Sequence, residues 1–194
     1  MKNTMARALL GLAIAGSVLL TACGSDDPLA AQAGNSGGKN YIAGDGSVME
    51  LSPSERGEPV EFSGQTFDGE TISAESLDGP ALVNFWYASC APCRVEAPHL
   101  ADLSQEFAED VSFVGVNVRD AAETAAAFER NFNIDYPSIE GRDGKVLLEF
   151  ADYVPPQAVP TTLILDDQGR VAARVLGAVE HSTLKSLLTG VVAE

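Results

Sequence analysis

Residues 81–87, Ala-Leu-Val-Asn-Phe-Trp-Tyr, form an apolar run of strand type that leads directly into Ser89-Cys90-Ala91-Pro92-Cys93. Its branched and aromatic composition suits a strand buried on both faces. Beyond Cys93 the period changes. Leu100, Leu103 and Phe107 recur at spacings of three and four, the pattern of an amphipathic helix. Pro92 falls in the first turn, where a missing N–H costs little; Pro98 lies deeper, opposes the carbonyl of Arg94, and is expected to kink the helix. A buried strand that turns into a helix through a Cys-x-x-Cys sequence is the element around which the remaining chain has to be arranged.

The flanking segments supply a sheet and its cover. Residues 60–62 and 70–72 flank Asp68-Gly69, a favourable hairpin turn. Residues 111–118 read as a second strong strand, 121–132 as an Ala-rich helix, and 145–150 as a short helix. Thr161–Leu165 and Val171–Leu176 read as strands joined by an Asp-Asp-Gln-Gly turn, and His181–Val192 as a closing helix. Strands separated by helices, then a hairpin and a last helix, predict an α/β domain: a mixed central sheet with helices on both faces. With the hairpin as an N-terminal extension, that domain is expected over 58–194.

Ahead of it the chain has another character. Lys2 and Arg7 precede an uncharged, mostly apolar stretch over residues 8–20, shorter than the roughly 20 residues that a spanning helix needs. Residues 1–22 therefore read as an export signal. Leu20-Thr21-Ala22-Cys23 resembles the lipobox of bacterial lipoproteins, which implies acylation of Cys23 at the cleavage point. Residues 23–57 begin with Gly, Ser, Ala, Asn and Asp and are expected to be a lipid-anchored flexible tether, because such a segment buries too little to offset its ordering entropy. Tyr41, Ile42, Val48, Met49 and Leu51 are anchors by which its later part could lie against the domain.

Twelve Lys and Arg against 28 Asp and Glu leave a formal charge of −16. A polyanion is repelled by such a surface, so nucleic acid is not an expected partner. Three cysteines are too few for a disulfide-stapled miniprotein. Cys90 and Cys93 read as a redox pair. At the start of a helix, free N–H groups and the positive end of the dipole favour the thiolate of Cys90. Cys93, one turn on and more sheltered, is placed to attack a mixed disulfide. Zinc would need four ligands, and only His99 and His181 could join the pair. Covalent haem would need His where Arg94 stands. An inert disulfide closing so short a loop would stabilise the fold little.

Residues 62–100, with the Phe-Trp, Cys-x-x-Cys, Arg94, Glu96 and Pro98 pattern, are similar to the thioredoxin-like oxidoreductases of the TlpA/ResA group. The likeness continues through Val159-Pro160-Thr161-Thr162 and on to Gly177. These are membrane-tethered relatives of thioredoxin that usually act as reductants outside the cytoplasm. The resemblance implies a thioredoxin-like fold and an enzyme that works through a redox-active Cys90–Cys93 disulfide with no other cofactor. It implies protein thiols and disulfides as substrates, apocytochrome c among them, and a membrane electron donor. With the lipid on Cys23, it places the protein on the extracytoplasmic face of the bacterial cell membrane.

Pro160 corresponds to the group's cis-proline, which turns the backbone of Val159 toward a substrate chain. Glu96 matches its active-site glutamate, a proton acceptor for Cys93; a nearby carboxylate also disfavours a second negative charge on sulfur. A solvated helix-face charge is the alternative for Glu96. Trp86 matches an aromatic shelf beside the dithiol, with core packing as the alternative. His99 and His181 are expected on a helix surface and in the first turn of the last helix, without a catalytic part. Two departures stand out. Ser89 replaces the Trp common before the first cysteine, and Asn84 occupies the place of thioredoxin's buried acid.

Three other activities compete. Peroxiredoxins want Pro seven and Thr or Ser three residues before the reactive cysteine, where this chain has Val83 and Tyr87. A copper metallochaperone of the same fold would space its cysteines one residue further apart. A disulfide-forming oxidant remains as the reverse direction of the same chemistry.

Overall fold

The computed structural model describes residues 47–194. In chain order the elements are β1 (Val48–Glu50), β2 (Ser63–Gln65), β3 (Thr71–Ser73), a 3-10 turn (Ala74–Ser76), β4 (Ala81–Trp86) and α1 (Ala91–Glu106). There follow β5 (Ser112–Asn117), α2 (Ala122–Phe132), β6 (Ser138–Glu140), α3 (Lys145–Glu149), β7 (Thr161–Leu165), β8 (Val171–Leu176) and α4 (His181–Val192). Six strands make one mixed sheet in the order β1-β8-β7-β4-β5-β6, with β4, β5 and β6 parallel and β7, β8 and β1 antiparallel to their neighbours.

Alternation along β4 divides the core. Ala81, Val83 and Phe85 face one side with Phe62, Val146 and Phe150, under α3 and the β2–β3 hairpin. Leu82 points the other way, onto Leu100 and Leu103 of α1 and Leu184 and Leu188 of α4. Every residue of β4 is buried, as a central strand covered on both faces requires. Helix α1 continues through Pro98 without a break in its assignment.

Two sequence expectations are corrected. The hairpin forms about Asp68-Gly69, but its first strand is three residues later than residues 60–62. Val60 and Phe62 are drawn into the core instead, and the Val60 N–H donates to the Gly169 carbonyl at 2.9 Å. The folded domain also begins before residue 58. β1 pairs with the free edge of β8, Val48 opposite Val175, and the Leu51 N–H donates to Ala172 at 2.8 Å. Arg56 inserts its guanidinium between Asp166 (2.9 Å) and Glu194 (2.7 Å), with its side chain 1 % exposed. Residues 47–57 are therefore part of the domain rather than of a tether. The expected leader, Cys23 and the remaining tether lie outside the described residues.

Candidate active site

Strand β4 ends at Trp86, and α1 begins four residues later with Cys90 as its N-cap. The intervening turn is held by the Cys90 N–H on the Tyr87 carbonyl (3.1 Å) and the Ala88 N–H on Asp120 Oδ2 (2.6 Å). Cys90 and Cys93 are joined in a disulfide with Cα atoms 5.3 Å apart. The Cys93 N–H donates to Cys90 Sγ at 3.1 Å. Sulfur thus fills the place that a Ser or Asp oxygen takes in an ordinary N-cap, and that N–H together with the helix dipole favours negative charge on it. Both cysteines are buried in the oxidised form, Cys90 at 3 % and Cys93 at 1 % exposure, so their difference in accessibility is small.

Pro160 immediately precedes β7, whose first residue pairs with Phe85 near the end of β4. This antiparallel pairing brings Val159 to the dithiol. The Val159–Pro160 bond is cis, and the Val159 carbonyl oxygen lies 3.9 Å from Cys90 Sγ. The disulfide sulfur has no hydrogen to donate there; only the reduced thiol does. Trp86 is 4 % exposed and stacks on Phe128 with ring centroids 4.5 Å apart, inside the same apolar cluster as both cysteines. Core packing and a shelf under the dithiol are one placement for this residue. Arg119 lies over the Tyr87 ring at 4.1 Å and Arg94 over Phe132 at 5.2 Å, so two guanidinium groups rim the site.

Glu96 is 0 % exposed. Its position three after Cys93 and four before Leu100 puts it on the buried stripe of α1, so it is not a solvated helix-face charge. Asn84 Nδ2 donates to Glu96 Oε1 (2.9 Å) and to Thr162 Oγ1 (3.0 Å), and the Val179 N–H donates to Glu96 Oε2 (3.3 Å). Burial pushes the carboxyl up from its ordinary 4.5 to about 7, against the opposing pull of the Asn84 and Val179 donors. The carboxyl therefore holds its proton more tightly than an exposed glutamate does, one turn beyond Cys93 on the same helix.

Sequence reasoning placed Asn84 at the position of a buried acid but missed its task, which is to hold the acid that α1 supplies. The signal was available: a polar residue between Leu82 and Trp86 on one face of an apolar strand needs a buried partner. Thr162 and the Val179 N–H were missed as partners of the Asn84–Glu96 pair. Among the described residues no group of three or more His, Cys, Asp or Glu is placed to hold a metal ion.

The AhpC/TSA family model matches residues 57–174. Over 146 residues the chain is 30 % identical to the thioredoxin-like protein YneN of Bacillus subtilis, covering 73 % of this chain and 83 % of that one. It is 27 % identical to the thiol-disulfide oxidoreductase ResA of the same organism over 135 residues, 69 % of this chain and 73 % of ResA. A secreted thiol-disulfide isomerase from Corynebacterium glutamicum superposes with a TM-score of 0.69 at 27 % identity, covering 80 % of this chain and 98 % of that one. The fold is thioredoxin-like, as the resemblance implied. With a family model over more than half its length, relatives named as thiol-disulfide oxidoreductases, and a Cys90–Cys93 disulfide at the start of α1, the chain belongs to the AhpC/TSA family and is a thiol–disulfide oxidoreductase.

Proposed function

We propose that this oxidoreductase works as a reductant of disulfides in exported proteins, with apocytochrome c as one substrate, on the extracytoplasmic face of the membrane. Lipid on Cys23 anchors it there, and a membrane electron donor restores the dithiol. No cofactor is needed beyond the Cys90–Cys93 couple. The observation that carries the reading is the buried Glu96, whose proton affinity lies near neutral pH one turn beyond Cys93.

In the reaction, the Cys90 thiolate attacks one sulfur of the substrate disulfide, and the other sulfur leaves as a thiolate. A mixed disulfide on Cys90 results. Val159 and Pro160 present backbone to the substrate chain, and Trp86 supports the dithiol from below. Cys93 then gives its proton to Glu96 and attacks Cys90 Sγ, which breaks the mixed disulfide and releases the second substrate thiolate. Two electrons pass to the substrate, which takes up two protons, and Cys90–Cys93 is left oxidised. The carboxylate supports this direction. Ionised Glu96 disfavours a thiolate on Cys93 until a mixed disulfide is there to receive the attack, which stores the protein as a stable dithiol.

Equilibration of the Cys90–Cys93 couple with defined thiol and disulfide buffers tests the direction. A potential more negative than roughly −200 mV, in the range of glutaredoxin and thioredoxin, is expected. A value near about −120 mV would make the protein a disulfide donor instead.

A further inference from the structure

Helix α1 grips the connection between β8 and α4 at one residue, from two positions. Glu96 takes the N–H of Val179, and His99, one turn further along the helix, has Nδ1 3.0 Å from the carbonyl of that same Val179. We propose that His99 is a positioning residue for Glu96: its Nδ1–H holds the Val179 carbonyl and thereby keeps the Val179 N–H aimed at the buried carboxylate. The inference rests on the acid–base part assigned to Glu96 above.

The chemistry of the contact fixes the roles. A carbonyl oxygen only accepts, so Nδ1 carries the hydrogen in the neutral ring as well as in the cation. The contact therefore acts as a clamp rather than a switch. It is also needed where it stands. The connection starts at Gly177, whose φ of +85° lies in the left-handed region and whose N–H donates to the Pro160 carbonyl at 2.8 Å. At its far end the Leu184 N–H returns to Glu180. Between these anchors the buried Val179 side chain fixes where the residue sits, but not how its two peptide groups are rotated. Among the described residues, the bonds from α1 are the ones that hold those two peptide groups. The Val179 bond to Glu96 is the longer of the two that the carboxyl receives from Val179 and Asn84, so it is the one most easily lost to a small rotation.

The clamp reaches further than one bond. Through Gly177 it ties the cis-proline loop, against which a substrate chain lies, to the residue that holds the proton. The titratable groups around it are Cys93 on the same helix, Tyr136 from the segment before β6, whose ionisation is opposed first by its burial and then by Glu96, and His181 at the start of α4, whose ring meets His99 edge-on with centroids 6.0 Å apart.

The test uses the full chain with the glutamate carboxyl carbons labelled, so that Glu96 is titrated directly by NMR. His99→Leu keeps the side-chain length and removes the donor; His99→Asn puts an amide N–H2 where Nδ1 stood. Loss of a hydrogen bond to the ionised form is expected to raise the Glu96 midpoint by about half to one pH unit in His99→Leu. The same variant should shift the Val179 amide proton and move the acid limb of the pH–rate profile for disulfide reduction upward. His99→Asn should restore all three, which a purely structural role would not require. An unchanged Glu96 midpoint in His99→Leu would overturn the proposal. So would a wild-type ring found as the Nε2–H tautomer, a measurement that needs no variant to fold. A midpoint that moves while the rate profile stays put would uphold the clamp and remove the acid–base reading of Glu96 instead.

Discussion

Glu96→Gln should make the protein more stable at pH 8 and less stable at pH 4. The carboxyl is 0 % exposed, and burial raises it from 4.5 to about 7. Below pH 4.5 it is protonated in folded and unfolded chain alike, and its burial carries no charge penalty. As pH rises from there, the unfolded chain gives up the proton first, and stability falls until the folded group ionises as well. The linkage between those limits amounts to about 3 kcal/mol. Glutamine removes this pH-dependent part entirely. It adds a constant cost of about 1 kcal/mol, because its amide oxygen can accept from Asn84 while its N–H2 is left facing the Val179 N–H.

The two stability curves should therefore cross between pH 4.5 and 7, with the variant ahead by about 2 kcal/mol once both limits are passed. Urea unfolding of the oxidised proteins at half-unit steps of pH measures this, with the emission of Trp86, the only tryptophan, as the signal. A difference that is flat with pH, or that moves in favour of the wild type as pH rises, would refute the argument that an uncharged pocket holds this carboxyl.

Three further outcomes follow from the geometry. Cys93→Ser should accumulate a stable mixed disulfide through Cys90, visible by intact mass, whereas Cys90→Ser should form none; the reverse result would exchange the parts of the two cysteines. Gly115→Ala places a Cβ 2.3 Å from Ser138 Oγ and 2.8 Å from Trp86 Nε1, and overpacking of this kind should cost about 1–3 kcal/mol with a shifted tryptophan emission. Arg56→Ala strips a buried guanidinium from Asp166 and Glu194, and the melting temperature should drop by an amount equivalent to about 3 kcal/mol.

Much of this was legible in the chain, and the exceptions share a cause. β4, β5, β7 and β8 have enough branched and aromatic residues to declare themselves, and β7, β8 and α4 begin and end where their patterns do. β1 and β6 are three residues each and form only because β8 and β5 offer free edges beside them. Their own composition carries no such statement. The hairpin was found from Asp68-Gly69, yet its register was not, because Val60 and Phe62 gain more by entering the core than by pairing. Cys90 and Cys93 were legible from their spacing together with their place between a buried strand and a helix. Glu96 came from the resemblance to the TlpA/ResA group, and the structure places it on the buried stripe of α1 with Cys93, Ala97 and Leu100. The hold on Glu96 from Val179 and His99 could not be read, since it joins residues about 80 apart through a backbone group that any amino acid would supply.

One helix gives two identical side chains different chemistry. The field of a helix terminus fades within its first turn, so Cys90 at the N-cap feels it fully and Cys93, a turn inside, feels it much less. One turn beyond Cys93 the same helix carries a carboxyl that is buried, pushed up to about 7 by that burial, and fixed from two sides by Asn84 and Val179. The first environment favours sulfur as an anion; the second opposes it and offers to take its proton. That asymmetry is what an ordered exchange requires, with one thiol that attacks the substrate and one that waits. It depends on keeping water away from Glu96. Hydration would return the carboxyl to its ordinary range, as a permanent charge beside Cys93 with little affinity for a proton. The apolar stripe of Ala97 and Leu100 around Glu96 is therefore part of the chemistry as well as of the core.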